Sequence, residues 1–178
     1  LVKIHILYIF HFYLCFHSHL FFYFSSKSKL KIIHSFQEDI GFRAARSRNR
    51  AISKANGEYI IMIDGDMILH KSFIYDHLRN SQIGYFVQGS RVLLTDKRTK
   101  DILETFKPIS HFLESGFTNR KNAIHSDFLS KIFSVKKNLL RGIKTCNVAF
   151  FKVDCISVNG FNNEFEGWGK EDSEFFVR

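Results

Sequence analysis

The sequence predicts an α/β domain in which helices cover both faces of a sheet, and three observations carry that prediction. Tyr59–Ile63 is an unbroken apolar run between Gly57 and an acidic turn, the pattern of a strand buried on both faces. Phe42–Ala55 before it and Ser72–Asn80 after it carry apolar residues at helical spacing. Strand character returns near the end of the chain over Gly142–Lys152, through Ile143 and Val148–Phe151 with Cys146-Asn147 at its centre. At 178 residues, 45% hydrophobic and 24% charged, the chain suits one domain with a sizeable core.

Taken in order, Leu1–Phe24 is almost continuously apolar and aromatic, interrupted by Lys3, His5, His11, His17, Ser18 and His19. Three readings stay open. A membrane span over residues 4–24 has the length of roughly 20 residues that a bilayer needs, although histidines inside it are costly. A signal peptide would find only part of a cleavage site in Ser25-Ser26. The third reading is an aberrant segment foreign to the domain. Expected boundaries are therefore 1–31 for this segment and 32–178 for the folded domain.

Leu30–Phe36 predicts a short strand and Gln37–Gly41 a turn. In the helix Phe42–Ala55, the residues Ala44, Ala45, Ala51, Ile52 and Ala55 form one small apolar face, with Arg43, Arg46, Arg48 and Arg50 around the rest. Most of these arginines suit a solvated face. One aimed at the strand ends suits a pyrophosphate, through paired charge-assisted bonds. Asn56-Gly57 closes the helix. Ser72–Asn80 places Phe73, Ile74, His77 and Leu78 inward, and His70 and His77 read either as metal ligands or as ordinary core and surface residues. Gly84–Leu94 predicts a strand region with a bulge at Gly89. A short helix over Asp96–Thr105, a loop over Lys107–Arg120, an amphipathic stretch over Asn122–Phe133 and a basic exposed stretch over Val135–Arg141 follow. Beyond the run at Val148–Phe151, Asp154–Asn159 predicts a helical turn ending at Gly160.

Two acidic clusters carry the chemistry. Asp64 and Asp66 flank Gly65 at the carboxyl end of the central strand, the edge at which such sheets bind ligands. Two carboxylates this close repel unless a cation lies between them, and oxygen donors suit Mg²⁺ or Mn²⁺. The plainer alternative is a turn and a helix cap. The second cluster, Phe161 to Phe175, contains Gly167-Trp168-Gly169-Lys170-Glu171-Asp172. Glycines on both sides free the backbone to present Trp168 as a flat platform for a sugar ring, beside a carboxylate base at the start of a closing helix. Capping acids and a core Trp are the alternative.

A formal charge of +9 favours polyanionic partners. The basic residues are scattered, without zinc-finger spacing or a basic helix leading into heptads, which argues against nucleic acid. Cys15, Cys146 and Cys155 have no metal-ligand spacing, and their odd number fits a reducing compartment.

Gly41–Ile52, Gly57–Asp66 and Gly167–Asp172, in that order, resemble family 2 glycosyltransferases of the GT-A fold. The last motif is similar to the Gly-Trp-Gly-Xaa-Glu-Asp of galactosyltransferases and chondroitin-polymerase-like enzymes. The resemblance covers about residues 36 to 178. It implies a GT-A-like, Rossmann-like mixed sheet flanked by helices. It also implies metal-dependent, inverting transfer of a sugar from a nucleotide-sugar, a UDP-sugar, to a glycan or glycolipid acceptor in surface polysaccharide or lipopolysaccharide synthesis. Carried over residue by residue, Asp66 is the direct ligand of Mn²⁺ or Mg²⁺, and Asp64 lies near the ribose and the metal's waters. Arg48 contacts the nucleotide, Trp168 lines the junction of donor and acceptor, Asp172 is the base and Glu171 holds the acceptor.

The chain departs from the family's pattern at both ends. Residues 1–31 lack the first strand, loop and helix, and Arg178 stops short of a further metal ligand, so a truncated or frame-disrupted member, incomplete at both ends, is expected. An inactive fragment or pseudoenzyme with residual nucleotide or glycan binding is the alternative function. The expected location is cytoplasmic, with peripheral association at the inner membrane face, or a single-pass anchor through residues 4–24.

Overall fold

Strand β2 (Tyr59–Asp64) is the centre of the first of two compact units, Leu1–Gln88 with Leu139–Arg178; the second is Gly89–Asn138. The computed structural model describes residues 4–9, 31–38, 40–105, 107, 113–134 and 143–178. The division into two units differs from the one domain that length and composition predict.

In the first unit, β2 pairs in parallel with β1 (Ile4–Ile9) and antiparallel with β6 (Asn147–Phe151), which pairs in turn with the short β3 (Val87–Gln88). Side chains alternate across a strand, so β2 serves both faces. Ile60 and Met62 pack with Val148 and Phe150 under helix α1 (Ala44–Lys54) and the closing helix α6 (Glu171–Val177). Tyr59, Ile61 and Ile63 pack with Ala149 and with Phe73 of helix α2 (Phe73–Arg79). All five side chains from Tyr59 to Ile63 are fully buried, which is why the run reads as continuously apolar. Helix α5 (Lys152–Ser157) follows β6 directly. The result is a mixed sheet with helices on both faces, the GT-A-like architecture expected.

Some elements differ from expectation. β1 lies within the segment 1–31 that the sequence reading sets apart, and six of its residues join the sheet as a parallel strand. Ile4–Ile9 is thus a strand rather than part of an apolar span; residues 10–30 lie outside the described residues. Residues 31–36 form no strand. Arg50 and Lys54 donate to the carbonyls of Phe36 and His34, so this segment is held by side chains of α1 instead of by a ladder. The expected strand over Gly84–Leu94 is broken after Gln88, and its second half, β4 (Leu93–Leu94), belongs to the other unit. Among the described residues no helix is long and apolar enough to cross a membrane.

The second unit contains β4 paired antiparallel with β5 (Phe117–Thr118), helix α3 (Asp96–Thr105), a 3-10 turn (Arg120–Ala123) and helix α4 (Asp127–Phe133). Arg98 ties it together by bonding Asp101 and Glu114. Ser126 caps α4 by accepting from the Leu129 amide, which begins that helix later than the amphipathic pattern suggests.

Candidate active site

The antiparallel register of β2 and β6 sets a residue of each acidic cluster against one dipeptide, on its two sides. Ile63 lies opposite Asn147, so the residues just before β6, Thr145 and Cys146, lie beside Asp64. The Asp64 amide donates to the Cys146 carbonyl at 3.4 Å. Thr145 turns the other way, and its amide (3.2 Å) and Oγ1 (2.9 Å) both donate to Oδ2 of Asp172. The dipeptide Thr145-Cys146 therefore joins acids that are far apart along the chain.

Asp172 is held on its other oxygen as well. Arg48 Nη1 donates to Asp172 Oδ1 at 2.8 Å and to Glu171 Oε1 at 3.0 Å, while Nη2 donates to Thr145 Oγ1 at 2.8 Å. The guanidinium also stands 5.3 Å over the ring of Phe161. Arg48 and Glu171 are each 5% exposed, and Asp172 keeps 22% of its side chain in solvent. Arg48 is buried because it follows Ala44 and precedes Ile52 by one helical turn each, on the inward stripe of α1. Glu171 is buried for the same reason, one turn before Phe175, which stacks on Phe161 with ring centroids 4.0 Å apart. Both residues thus face the interior and each other, where the expectation set Arg48 on the nucleotide and Glu171 on the acceptor. Glu171 Oε2 and Arg48 Nε are buried without a hydrogen-bond partner.

Asp64 and Asp66 sit differently. Asp64 ends β2 half-buried, Gly65 and Asp66 form a turn, and Asp66 is exposed. Gly65 does not adopt a positive φ, so the turn does not use a glycine's left-handed freedom. As a cation site the donor set fits in chemistry: two carboxylates separated by one residue, the outer one open to solvent, supply the oxygen ligands that Mg²⁺ or Mn²⁺ takes.

Trp168 is 90% exposed, against the alternative that made it core. Gly167 at φ +85°, Gly169 at φ +101° and Lys170 at φ +71° force the chain into a tight excursion around it. That excursion is anchored at its base, where Gly167 N–H donates to the Phe42 carbonyl and Arg43 pairs with Glu166 at 2.8 Å.

Three residues that sequence reasoning missed complete the picture. Thr145 has no signal beyond its place before an apolar run. Asn49 has one, since it follows Arg48 on α1: its amide donates to the Phe161 carbonyl (2.6 Å) and to Asn163 Oδ1 (2.9 Å), and accepts from the Phe161 amide (2.9 Å). Consecutive residues of one helix therefore hold both the acidic helix and the turn that leads into it. Asn147 bonds His77 across 2.7 Å; His77, packed edge-on against Phe73, is a core residue whose pKa burial lowers below the usual histidine value. Cys146 and Cys155 are buried thiols without a disulfide, and burial pushes Cys155 up to about 11.

Comparisons with known proteins bear on what this geometry serves. The family described as glycosyl transferase family 2 matches residues 23–145, and one described as the N-terminal domain of galactosyltransferase matches residues 132–178. A hyaluronan synthase of Pasteurella multocida is 25% identical over 167 residues, covering 85% of this chain and 17% of that protein. A chondroitin synthase of Pasteurella multocida strain Pm70 is 27% identical over 172 residues, with the same coverage of each. The chain thus spans 17% of the length of these two curated relatives.

Proposed function

Because the chain belongs to glycosyl transferase family 2, we propose that its two acidic clusters serve transfer of a sugar from a nucleotide-sugar to a growing polysaccharide, with inversion at the anomeric carbon. A UDP-sugar is the donor in this reading, as the resemblance of the motifs implies. The observation that carries it is the convergence of Asp64 and Asp172 on Thr145-Cys146. The relatives are named for polysaccharides, which favours a polysaccharide acceptor over the lipopolysaccharide that the motifs alone also allow.

Asp172 is the base. A carboxylate offers about four lone-pair sites. Thr145 occupies two of them at Oδ2 and Arg48 one at Oδ1, which leaves Oδ1 able to accept one more hydrogen bond. An acceptor hydroxyl donating there loses its proton to Asp172 as its oxygen attacks the anomeric carbon from the side opposite the leaving diphosphate. Arg48 acts on the reaction through Asp172 rather than by touching the nucleotide, and Glu171 braces Arg48 from inside. Trp168 offers its exposed face to the sugar at the junction of donor and acceptor. Asp64 and Asp66 would hold Mn²⁺ or Mg²⁺, whose chemistry when bound is to neutralise charge on the diphosphate.

Release of UDP from UDP-sugars with Mn²⁺, measured on the full chain, tests this reading. Asp172→Asn is expected to lower turnover by about 10²- to 10⁴-fold, the range for loss of a general base. Asp66→Ala should abolish the response to Mn²⁺. Unchanged turnover in both variants would refute the assignment.

A further inference from the structure

On the outer face of α1, and at Lys152 of α5 beside it, four cations have no carboxylate partner among the described residues. Arg46 Nε donates to the Asn163 carbonyl, Arg50 Nη1 to the Phe36 carbonyl, Lys54 Nζ to the His34 carbonyl and Lys152 Nζ to the Ala55 carbonyl. None of the four pairs with an acid among the described residues. Arg43, Arg48 and Arg178 of the same unit each do, with Glu166, with Glu171 and Asp172, and with Glu174. A bond to a neutral carbonyl fixes a cation in place without cancelling its charge, so these side chains are held ready for an anion.

A shallow groove, open to solvent, runs beside Arg46, Arg50 and Lys152; Lys54 is not part of its lining. One cavity of about 460 Å³ is lined by Arg46, Asn49, Arg50, Ser53 and Asn163. A second of about 360 Å³ shares Asn49 and Ser53 with the first and reaches Lys152 and Asn159. Cations stand in both cavities, which suits an extended ligand with repeated anionic groups better than one ion. Neither lining contains an aromatic side chain on which a base could stack, which weighs against a nucleic-acid strand. The Ser53 hydroxyl and the amides of Asn159 and Asn163 match a ligand rich in hydroxyls, and the free edges of two guanidinium groups match carboxylates.

On these grounds we infer that the groove along α1 binds an acidic polysaccharide through carboxylates of its sugar units, apart from the acids at the end of β2 and on α6. The inference rests on the proposed function for the kind of polymer, and on the unbalanced cations for the site. The groove's wall at Asn163 leads within the same segment to Trp168, so a chain held there is tethered on the protein that extends it.

Calorimetry of the full chain with a hyaluronan decasaccharide as the uronate-bearing probe, at low and raised salt, tests the inference. Binding is expected to weaken as salt rises. It should fall at least about tenfold in Arg46→Gln/Arg50→Gln, given two charge-assisted bonds lost. It should fall less in Arg46→Lys/Arg50→Lys, which keeps the charge while losing the guanidinium fork. It should be unchanged in Lys97→Gln/Lys100→Gln, an exposed basic pair in the other unit, and a neutral dextran should not bind. Absence of binding by the wild-type chain, equal binding by the glutamine pair, or equal loss in the Lys97/Lys100 control would overturn the groove. Loss of binding to phosphatidylserine vesicles in the same variant, with decasaccharide binding intact, would assign the face to a membrane surface instead. Sugar transfer by the wild-type chain, read beside its binding, separates the two readings: decasaccharide bound with no transfer sinks the proposed function and leaves the groove. Normal transfer with no decasaccharide bound does the reverse.

Discussion

The acids at the end of β2 and those on α6 are chemically alike and physically opposite. Asp66 stands in solvent on an open turn, and its neighbour Asp64 is half-buried. Glu171 is interior, and Asp172 is held at Oδ1 by Arg48 and at Oδ2 by Thr145, with one further site on Oδ1. The difference teaches what each pair is suited to. An open pair of carboxylates can be completed by whatever arrives, whereas a braced carboxylate has one orientation and little freedom to lose it. Arg48 faces two carboxylates with one charge, so the braced pair also carries an energetic liability that the open pair does not.

That contrast can be broken most forcefully at its centre. Replacing Arg48 with Met leaves two carboxylates against the core without a counter-charge, and the expected loss is about 3–5 kcal/mol in urea denaturation. A loss under about 1 kcal/mol would mean that the bridge is not the brace described. Next, Thr145→Val removes the hydroxyl that donates to Asp172 and accepts from Arg48 while keeping the side chain's volume; about 1.5–3 kcal/mol is expected, since charged partners are involved. The same variant should lower kcat more than KM, because it disturbs the base and not the donor.

The effect of pH on stability sharpens the comparison from the core. His77 is buried neutral, with its pKa below the usual 6.5. The unfolded chain takes up a proton at that group before the folded one does, so stability falls as pH drops below 6.5 toward the folded value. His77→Gln should flatten that part of the profile. The smallest effects belong to the exposed groups: Asp66→Asn and Trp168→Ala should each change stability by less than about 0.5 kcal/mol, even where they change turnover. A large loss for Trp168→Ala would mean that its ring packs against something in solution.

Legibility in the sequence followed burial pattern closely. The run Tyr59–Ile63 announced a strand covered on both faces because five consecutive apolar residues leave no solvated side. β1 was harder to read: the apolar stretch around Ile4–Ile9 has the same character as the residues on either side, and only pairing with β2 singles those six out. The strand expected over Gly84–Leu94 failed for the complementary reason, since local β character does not say that partners exist along its whole length. Arg48 was legible in principle, spaced one turn from both Ala44 and Ile52, but a charged residue among four arginines reads as solvated until its partners are known.

By itself the sequence determined the central strand, the helices on either side of it, the two acidic clusters and the family to which their order belongs. These follow from local periodicity and residue chemistry, which need no partner to be read. Only the tertiary structure decided that Arg48 and Glu171 face inward, that Thr145-Cys146 joins the two clusters, and that cations on α1 meet no acid among the described residues. Each depends on which groups far apart in the chain come within hydrogen-bond reach, and the register of β6 against β2, together with the packing of Phe175 on Phe161, sets that distance.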